Sequence, residues 1–314
     1  MPDMSPARET TRRFTRRPAA VQVQSVLYDN TLASIDRAVT SLARSADLAI
    51  AAGVCSKVVL RYGDSSSVSC LSPEALATLR AAGGDALSIE YLPFSANLGS
   101  ARGHNELAEG SHADFLLIQN PDIVVCPRLL ETLLAPFAMP GVGMTEAKQL
   151  PIEHPKDYDP VTGETSWATT ACAMIPTAVF TELGGFDAES FFLYCDDVDF
   201  SWRVRSAGLR VLFQPAAVVF HDKRLSPSGA WQPSAAERYY SAEAALFLAY
   251  KWSRPDLVED YLASFARSCN ADQLRAARVF KERRDTNNLP DPVDPAHKVG
   301  QFEGLFYAKH RYSL

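Results

Sequence analysis

The sequence lacks the features of a membrane-spanning, secreted or nucleic-acid-binding protein. It has no apolar run long enough to cross a bilayer, and its N-terminus lacks the apolar stretch of a secretory signal. Its six cysteines form no CxxC pair, which favours reduced thiols inside a cell. Acidic residues outnumber basic ones by 37 to 31, and the resulting net charge of −6 argues against nucleic acid as a partner. We therefore predict a cytoplasmic protein.

The composition is that of an ordinary globular protein. The 314 residues are 47% hydrophobic and 22% charged, enough for a core that needs no disulfides or metals to hold it. One local exception is a basic start, formed by Arg8, Arg12, Arg13, Arg16 and Arg17. We predict a disordered basic arm over residues 1–18. Docking of this arm on acidic lipid headgroups is the alternative, so any membrane association is expected to be peripheral at most.

The first half of the chain alternates strand patterns with helix patterns. Strands are predicted at 21–27, 57–61, 88–92 and 115–119. Helices are predicted at 31–52, at 73–82 and from 97 to a stop at Gly110. This alternation is typical of βαβ units and indicates an α/β fold with a mostly parallel sheet. Ligands of such sheets bind beyond the carboxyl ends of the strands, where Asp64 and Asp122 lie.

The second half carries shorter elements and ends in a helical region. After a helix from Pro127 and a long loop at 151–165, the patterns predict a strand at 172–175, helices at 177–183 and 196–207, and two short strands at 210–213 and 218–221. Residues 234–284 predict two or three helices with a break at Pro255, followed by an irregular tail. The segment 234–252 is apolar around much of its circumference, so we expect it to pack against the rest of the chain.

Four aspartates in turns or at helix starts, and one histidine at a strand end, are candidate functional residues: Asp64, Asp122, Asp196, Asp197 and His221. Each alone has a simpler interpretation in turn formation, helix capping or surface polarity. Together they fit sugar transfer from a nucleoside diphosphate, in which a cation neutralises the leaving diphosphate and a carboxylate accepts the proton of the attacking hydroxyl. Mg²⁺ and Mn²⁺ suit oxygen ligands and Mn²⁺ also tolerates imidazole, so Asp122 and His221 form a candidate partial metal shell.

Four motifs follow one another along the chain. They are Asp64-Ser65-Ser66-Ser67, the stretch from Asn97 through Gly99 and Gly103 to Asn105, Asn120-Pro121-Asp122, and a block from Leu183 to Arg203 that contains Gly184-Gly185-Phe186-Asp187 and Asp196-Asp197-Val198-Asp199. In this order and spacing the chain resembles the family-2 inverting glycosyltransferases, particularly the rhamnosyltransferase-like branch. The resemblance covers about residues 20–225.

The resemblance implies an A-type glycosyltransferase (GT-A) fold, a Rossmann-like mixed sheet flanked by helices. A nucleotide-sugar-binding catalytic domain would occupy residues 19–225, and a C-terminal helical region and tail would occupy 226–314. Asp197 is then the expected catalytic base, supported by Asp196, while Asp122 and His221 bind Mn²⁺ or Mg²⁺. The expected nucleotide-binding residues are Asp64, Asn97, Gly99, Arg102 and Asn120.

The resemblance also narrows the substrates and the competing classes. The donor is expected to be dTDP-rhamnose, with UDP-galactose or another UDP-hexose as the alternative. The acceptor stays open between a polysaccharide end, a lipid-linked saccharide and a small metabolite. The main alternative class is a non-catalytic nucleotide-sugar or carbohydrate-binding protein. A glycoside hydrolase is disfavoured because its two carboxylates must flank a bond, and a nicotinamide dehydrogenase because the dinucleotide glycine fingerprint is missing.

Overall fold

The computed structural model describes residues 17–153, 157–221 and 233–308. The predicted basic arm therefore lies outside the described residues apart from its last two positions. Of these, Arg17 makes a surface ion pair with Asp114, with 2.6 Å between Nη2 and Oδ1. Small parts of the predicted loop and tail, residues 154–156 and 309–314, also lie outside.

The described strands form one mixed sheet in the order β3-β2-β1-β4-β7-β6-β8-β5. Their bounds are β1 Ala19–Leu27, β2 Cys55–Asp64, β3 Ser88–Pro93, β4 Phe115–Gln119, β5 Ile123–Val125, β6 Val142–Leu150, β7 Cys172–Pro176 and β8 Arg210–His221. Strands β1 to β4 run parallel, as the alternating patterns predict. The next strand, β7, runs antiparallel to both β4 and β6, and β5 pairs antiparallel with β8. Strands β6 and β8 pair in parallel, so β7 and β5 are the antiparallel members of an otherwise parallel sheet.

The described α-helices cover both faces of the sheet and then extend beyond it. Their bounds are α1 Leu32–Ala51, α2 Pro73–Gly83, α3 Gly99–Ala108, α4 Leu129–Leu134, α5 Thr177–Glu182, α6 Asp196–Ser206, α7 Ala235–Lys251, α8 Pro255–Ser268 and α9 Ala271–Asp285. A 3₁₀ turn, Ala135–Ala138, prolongs α4. Helix α1 shows how the sequence specifies them: the side chain of Thr31 caps its start, and Ile35, Val39 and Leu42 recur on its buried face.

Three elements differ from the sequence prediction. Strand β5, Ile123–Val125, is not predicted because three residues are too few to show a strand pattern. The apolar pattern does not predict strand β6, because the polar residues Thr145, Glu146 and Gln149 are buried within it. The two short strands predicted at 210–213 and 218–221 are one strand, β8. Its register against β6 jumps from Gln214 opposite Ala147 to Val218 opposite Lys148. Pro215 lies in this bulge, where a missing backbone N–H does not break the ladder.

The C-terminal helices share a hydrophobic core with α6. Trp202 of α6 and Trp252 after α7 meet edge to face, with 5.0 Å between ring centroids. Phe247 and Leu248 of α7 are fully buried, which confirms that this apolar helix packs against the rest of the chain. Pro255 begins α8, as the predicted helix break requires. Within the described ranges, no helix is both long and apolar enough to cross a membrane.

Candidate active site

The N-terminus of α3 is packed against the loop that leads into α6. The Ser100 N–H donates to the Phe192 carbonyl over 2.9 Å, and the Ser100 side chain hydrogen-bonds to the Asp196 carboxylate. Gly99 makes this approach feasible, because a Cβ at this position would lie 2.4 Å from the Phe192 carbonyl oxygen. Its φ of +71° also favours glycine. The predicted nucleotide motif and the predicted acid pair therefore meet at this point.

Substituting Gly99 by alanine tests this packing. We expect Gly99→Ala to lower the free energy of unfolding by about 2–4 kcal/mol, since a left-handed alanine costs roughly 1–2 kcal/mol and the clash with backbone adds to it. Gly110→Ala is the matched control, because Gly110 has a φ of +65° and open space around its Cβ position. Urea unfolding measures both. Equal losses in the two variants would show that the Phe192 contact does not matter.

Two further contacts tie α3 to the segment before α6. The Asn105 side chain bonds the backbone of Phe186 in both directions, donating to its carbonyl over 2.8 Å and accepting from its N–H over 2.9 Å. Arg102 reaches Glu189 over 2.8 Å in an exposed ion pair. The Asn97 side chain accepts from the Gly99 N–H over 3.1 Å, which forms the turn before the helix. The structure thus places Arg102 at the surface, in an ion pair, and Asn97 in the turn before α3.

Asp64 is the last residue of β2 and is almost completely buried. Its carboxylate accepts from the N–H groups of Ser66 and Cys70, over 2.9 and 2.7 Å, and from the Tyr91 hydroxyl. Burial alone raises the pKa of Asp64, but these hydrogen bonds outweigh it, so the pKa lies below its usual value. In the loop that Asp64 holds, the Ser65 hydroxyl accepts from the Leu98 N–H over 3.3 Å. Asp64 therefore supports the same turn that carries Asn97.

Asp122 and His221 come together at the far end of the sheet, where β5 pairs with β8. Asp122 Oδ1 lies 3.4 Å from His221 Nε2, and the side-chain nitrogen of Asn120, Nδ2, lies 3.3 Å from the same ring nitrogen. The other ring nitrogen, Nδ1, lies 2.7 Å from Gln149 Oε1. Because Gln149 Oε1 can only accept, this contact orients the ring with Nδ1 protonated and the Nε2 lone pair facing Asp122.

This donor set fits a divalent cation in part. An imidazole nitrogen and a carboxylate oxygen 3.4 Å apart can bind one ion from adjacent positions, and the Gln149 contact is the usual outer support of a metal-binding histidine. Two protein ligands leave most positions to a diphosphate and water, as is common for Mg²⁺. Among the described residues, no group of three or more His, Cys, Asp or Glu side chains could hold a metal unaided.

Asp196 and Asp197 begin α6 behind two residues in an unusual backbone conformation. Tyr194 and Cys195 have φ values of +69° and +57°, a left-handed pair that is costly without glycine and that turns the chain into the helix. Asp196 is buried and has an oxygen with no hydrogen-bond partner among the described residues. Burial first, and the neighbouring Asp197 charge second, hold the pKa of Asp196 well above its usual value.

The segment of Thr170 and Ala171 connects the Asp196–Asp197 pair to the Asp122–His221 pair. The Thr170 N–H lies 3.4 Å from Asp197 Oδ2, and the carbonyl of the next residue, Ala171, accepts from the Asn120 N–H over 2.9 Å. Two successive residues therefore contact one group each from the two halves of the candidate site. The structure brings together Asn120, Asp122 and His221 on one side of this segment, and Asp196 and Asp197 on the other.

Several residues of the site have no signature in the sequence. Gln149 lies in the strand that the apolar pattern hides. Lys251 belongs to α7, yet its Nζ lies 2.7 Å from both Asp187 and Asp199, the acids that flank the pair in the fourth motif. Asp199 is completely buried and also pairs with Arg203 over 2.8 Å. One signal for these contacts was available in the sequence. Lys251 lies in a predicted apolar helix, and a lysine is rarely buried without an acidic partner.

Comparison with known sequences gives a partial match. No protein-family model matches the chain. Over 117 residues it is 29% identical to the N-acetylglucosaminyl-diphospho-decaprenol L-rhamnosyltransferase of Mycobacterium tuberculosis strain CDC 1551, and equally to that of strain H37Rv. The alignment covers 34% of this chain and about a third, 36%, of the length of those relatives. This likeness agrees with the rhamnosyltransferase-like resemblance of the motifs.

Comparison with solved structures defines the fold. The chain is similar to GalNAc-T7, solved with UDP, GalNAc and Mn²⁺, with a TM-score of 0.61 and 15% identity over 87% of this chain and 56% of that one. It is also similar to the mannosyltransferase PcManGT of Pyrobaculum calidifontis, solved with GDP-Man and Mn²⁺. Here the TM-score is 0.54 and the identity 16%, over 89% of this chain and 86% of that one. The predicted GT-A fold is confirmed.

Proposed function

We propose that this chain is a metal-dependent, inverting glycosyltransferase that moves a sugar from a nucleoside diphosphate onto an acceptor hydroxyl. The observation that carries the proposal is the joining of the acid pair to the Asp122–His221 pair through Thr170 and Ala171. One half of this arrangement suits a departing diphosphate and the other half suits a hydroxyl that loses a proton. The Mn²⁺ complexes of the two structural relatives are consistent with that division.

The roles of the residues follow from their environments. Asp122 and His221 would hold Mn²⁺ or Mg²⁺, which when bound supplies positive charge to the leaving diphosphate. Asp197 takes the proton of the attacking hydroxyl. Asp196 is buried beside it and supports it. The turn at Asn97 and Gly99 would lie under the nucleotide, with Asn120 beside the Asp122–His221 pair, Asp64 would fix the base-binding loop, and Arg102 would lie at the edge of the nucleotide site.

The substrates follow from the sequence relatives. Because the partial match is to an L-rhamnosyltransferase, we propose dTDP-rhamnose as the donor, with a UDP-hexose as the alternative. That relative's name describes an N-acetylglucosaminyl-diphospho-decaprenol acceptor, which makes a lipid-linked saccharide one candidate acceptor of this chain, beside a polysaccharide end and a small metabolite. With a lipid-linked acceptor the chain would act at the cytoplasmic face of a membrane, in the synthesis of a polysaccharide or glycoconjugate.

Metal removal tests the proposal directly. We expect EDTA to abolish sugar transfer and added Mn²⁺ or Mg²⁺ to restore it. His221→Ala should lower transfer by about 10- to 100-fold and weaken Mn²⁺-dependent binding of a nucleoside diphosphate by a similar factor, the usual range for a disturbed metal shell. His112→Ala is the control, since His112 is an exposed histidine outside the site. Initial rates and isothermal titration provide the readouts. Full transfer in chelator contradicts metal dependence, and nucleotide binding without transfer to any acceptor supports a binding protein.

A further inference from the structure

The C-terminal helices enclose a cavity of about 280 Å³ that the proposed chemistry leaves unassigned. Its walls come from α7, from α8, from the start of α9 and from residues 305–308. The buried part of the lining is apolar or weakly polar: Cys195, Ala242, Tyr261, Phe265 and Ala308. Partly exposed polar side chains, among them Ser241 and Gln273, lie toward the surface together with the exposed Phe306. The cavity therefore has an apolar floor and an entrance that contains both polar and apolar side chains.

The cavity adjoins the acid pair. Cys195 lines it and comes immediately before Asp196, so the Cα atoms of Cys195 and Asp197 lie at most about 7 Å apart. The residue before Cys195, Tyr194, also contacts the cavity wall. Its hydroxyl lies 3.4 Å from the carboxylate of Glu237 on α7. A molecule seated in the cavity is thus beside the first turn of α6, where the proposed base accepts a proton.

The charges of the lining do not suit a phosphate. The basic side chain that lines the cavity, Arg238, donates to Asp272 and to the Pro233 carbonyl, each over 2.8 Å. Glu237, which carries the opposite charge, accepts from the Ser234 N–H over 2.7 Å at the start of α7. Because these charges are engaged within the fold, an anion gains little there, whereas an apolar group gains by leaving water.

The volume sets a limit on what can bind. Sites that enclose a whole drug-sized ligand measure roughly 300–1,000 Å³, so this cavity of about 280 Å³ takes only a part of such a ligand. A single ring or a short alkyl chain fits that size, and the polar side chains of the entrance suit the hydroxyls of a sugar attached to it. The apolar floor, the engaged charges and the small volume together specify an uncharged, amphipathic glycoside.

We propose that this cavity binds the apolar aglycone of the glycosyl acceptor, the part of the molecule that follows the accepting sugar. The proposal rests on the proposed function for its assumption that an acceptor binds beside Asp197. It deepens that function, since it makes an apolar group next to the accepting sugar a determinant of acceptor choice and favours a simple glycoside over an acceptor that carries a diphosphate at that point. Acceptors without such a group bind more weakly because they leave the floor of the cavity in contact with water.

A pair of glycosides that differ only in the aglycone tests the proposal. We expect hexyl N-acetyl-β-glucosaminide, used below its micellar concentration, to bind the full chain at least about tenfold more tightly than the methyl glycoside, because five methylenes are added and even partial burial of them suffices. Isothermal titration gives both dissociation constants in the presence of Mn²⁺ and dTDP, the nucleotide of the proposed donor. Equal affinities for the two glycosides would overturn the proposal.

Filling the cavity supplies the matched comparison. In Ala245→Trp the new ring occupies the cavity, and Ser241→Trp fills it from one turn earlier on the same helix face. Both should reduce the preference for the hexyl glycoside to less than about threefold. Ala236→Trp, on an exposed position of α7 outside the lining, should keep it. Thermal melting identifies a variant that fails to fold, in which case the other decides. An unchanged preference in a folded, filled variant contradicts the proposal.

These binding measurements separate the two proposals. If the hexyl preference disappears on filling but no sugar is transferred to any acceptor, the cavity assignment stands and the proposed function fails. If transfer occurs with equal affinity for both glycosides, the function stands and the cavity assignment fails.

Discussion

Replacing Asp197 by asparagine is expected to lower the rate of sugar transfer by about 10²–10⁴, the usual contribution of a general base. Asparagine keeps the size of the side chain and an oxygen that can accept from the Val198 N–H, a contact of 2.8 Å. It cannot accept a proton from a hydroxyl. Binding of the donor nucleotide should be unchanged, because the proposed nucleotide contacts lie in the turn at Asn97 and at the Asp122–His221 pair.

Asp196→Asn is the matched comparison and should cost less than about tenfold. Because burial and the Asp197 charge raise the pKa of Asp196, this carboxyl is the one of the pair that holds a proton more readily. A neutral amide is therefore a close substitute for it, and its oxygen can still bond the Ser100 side chain. The order of the two effects separates a base from its supporting neighbour, since both variants remove one carboxylate from the same helix turn.

Two measurements decide the assignment. Initial rates with a fixed acceptor are compared with isothermal titration of the donor nucleotide in the parent and both variants. The anomeric coupling of the product, read by NMR, reports the stereochemistry, which should be inverted because a single base without a covalent nucleophile allows one displacement only. Transfer by Asp197→Asn at the parental rate, or a product with retained configuration, shows that Asp197 is not the base.

The sequence motifs predicted where several residues of the candidate site lie, because their positions depend on local chemistry. Asn120-Pro121-Asp122 follows an apolar strand, and parallel strands end at one edge of a sheet. Asp196 and Asp197 precede a clear helix pattern and do begin α6. Gly99 was predicted only as part of the nucleotide motif, and the structure shows why a glycine is needed there, since a Cβ would lie 2.4 Å from the Phe192 carbonyl oxygen. Each of these predictions needed only residues within about one element.

The partners of those residues could not be predicted, because they come from distant parts of the chain. Gln149 orients His221 across 72 positions, from a strand whose buried polar residues conceal it. Thr170 approaches Asp197 from a segment with no regular pattern. Lys251 binds Asp187 across 64 positions, from a helix that the sequence marked only as apolar. A pairwise contact of this kind leaves no periodic trace in one sequence.

Lys251→Met is expected to lower the free energy of unfolding by about 3–5 kcal/mol, the cost of removing one partner from a buried ion pair. The Lys251 side chain is only 9% exposed, and it lies between two carboxylates at 2.7 Å each. Methionine fills the space but leaves Asp187 and Asp199 without this charge. Lys281→Met, at an exposed position of α9, should change stability by less than about 0.5 kcal/mol. Urea midpoints compare the two variants.

The pH dependence and a double substitution show whether this cost comes from charge. Burial raises the pKa of Asp187, but the bond to Lys251 more than offsets it, so the pKa lies below its usual value. A depressed pKa adds stability above the unfolded value, about 3.9, which is lost as the pH falls through the folded value. The difference in the free energy of unfolding between the parent and Lys251→Met should therefore become smaller below about pH 4.

Adding Asp187→Asn to Lys251→Met should lower the free energy of unfolding by less than Asp187→Asn does alone, because the carboxylate it removes is no longer paired with the lysine. If the stability difference between the parent and Lys251→Met is constant with pH, and the effects of the two substitutions are additive, then Lys251 acts through packing. It would not then link α7 by charge to the helix that carries the proposed base.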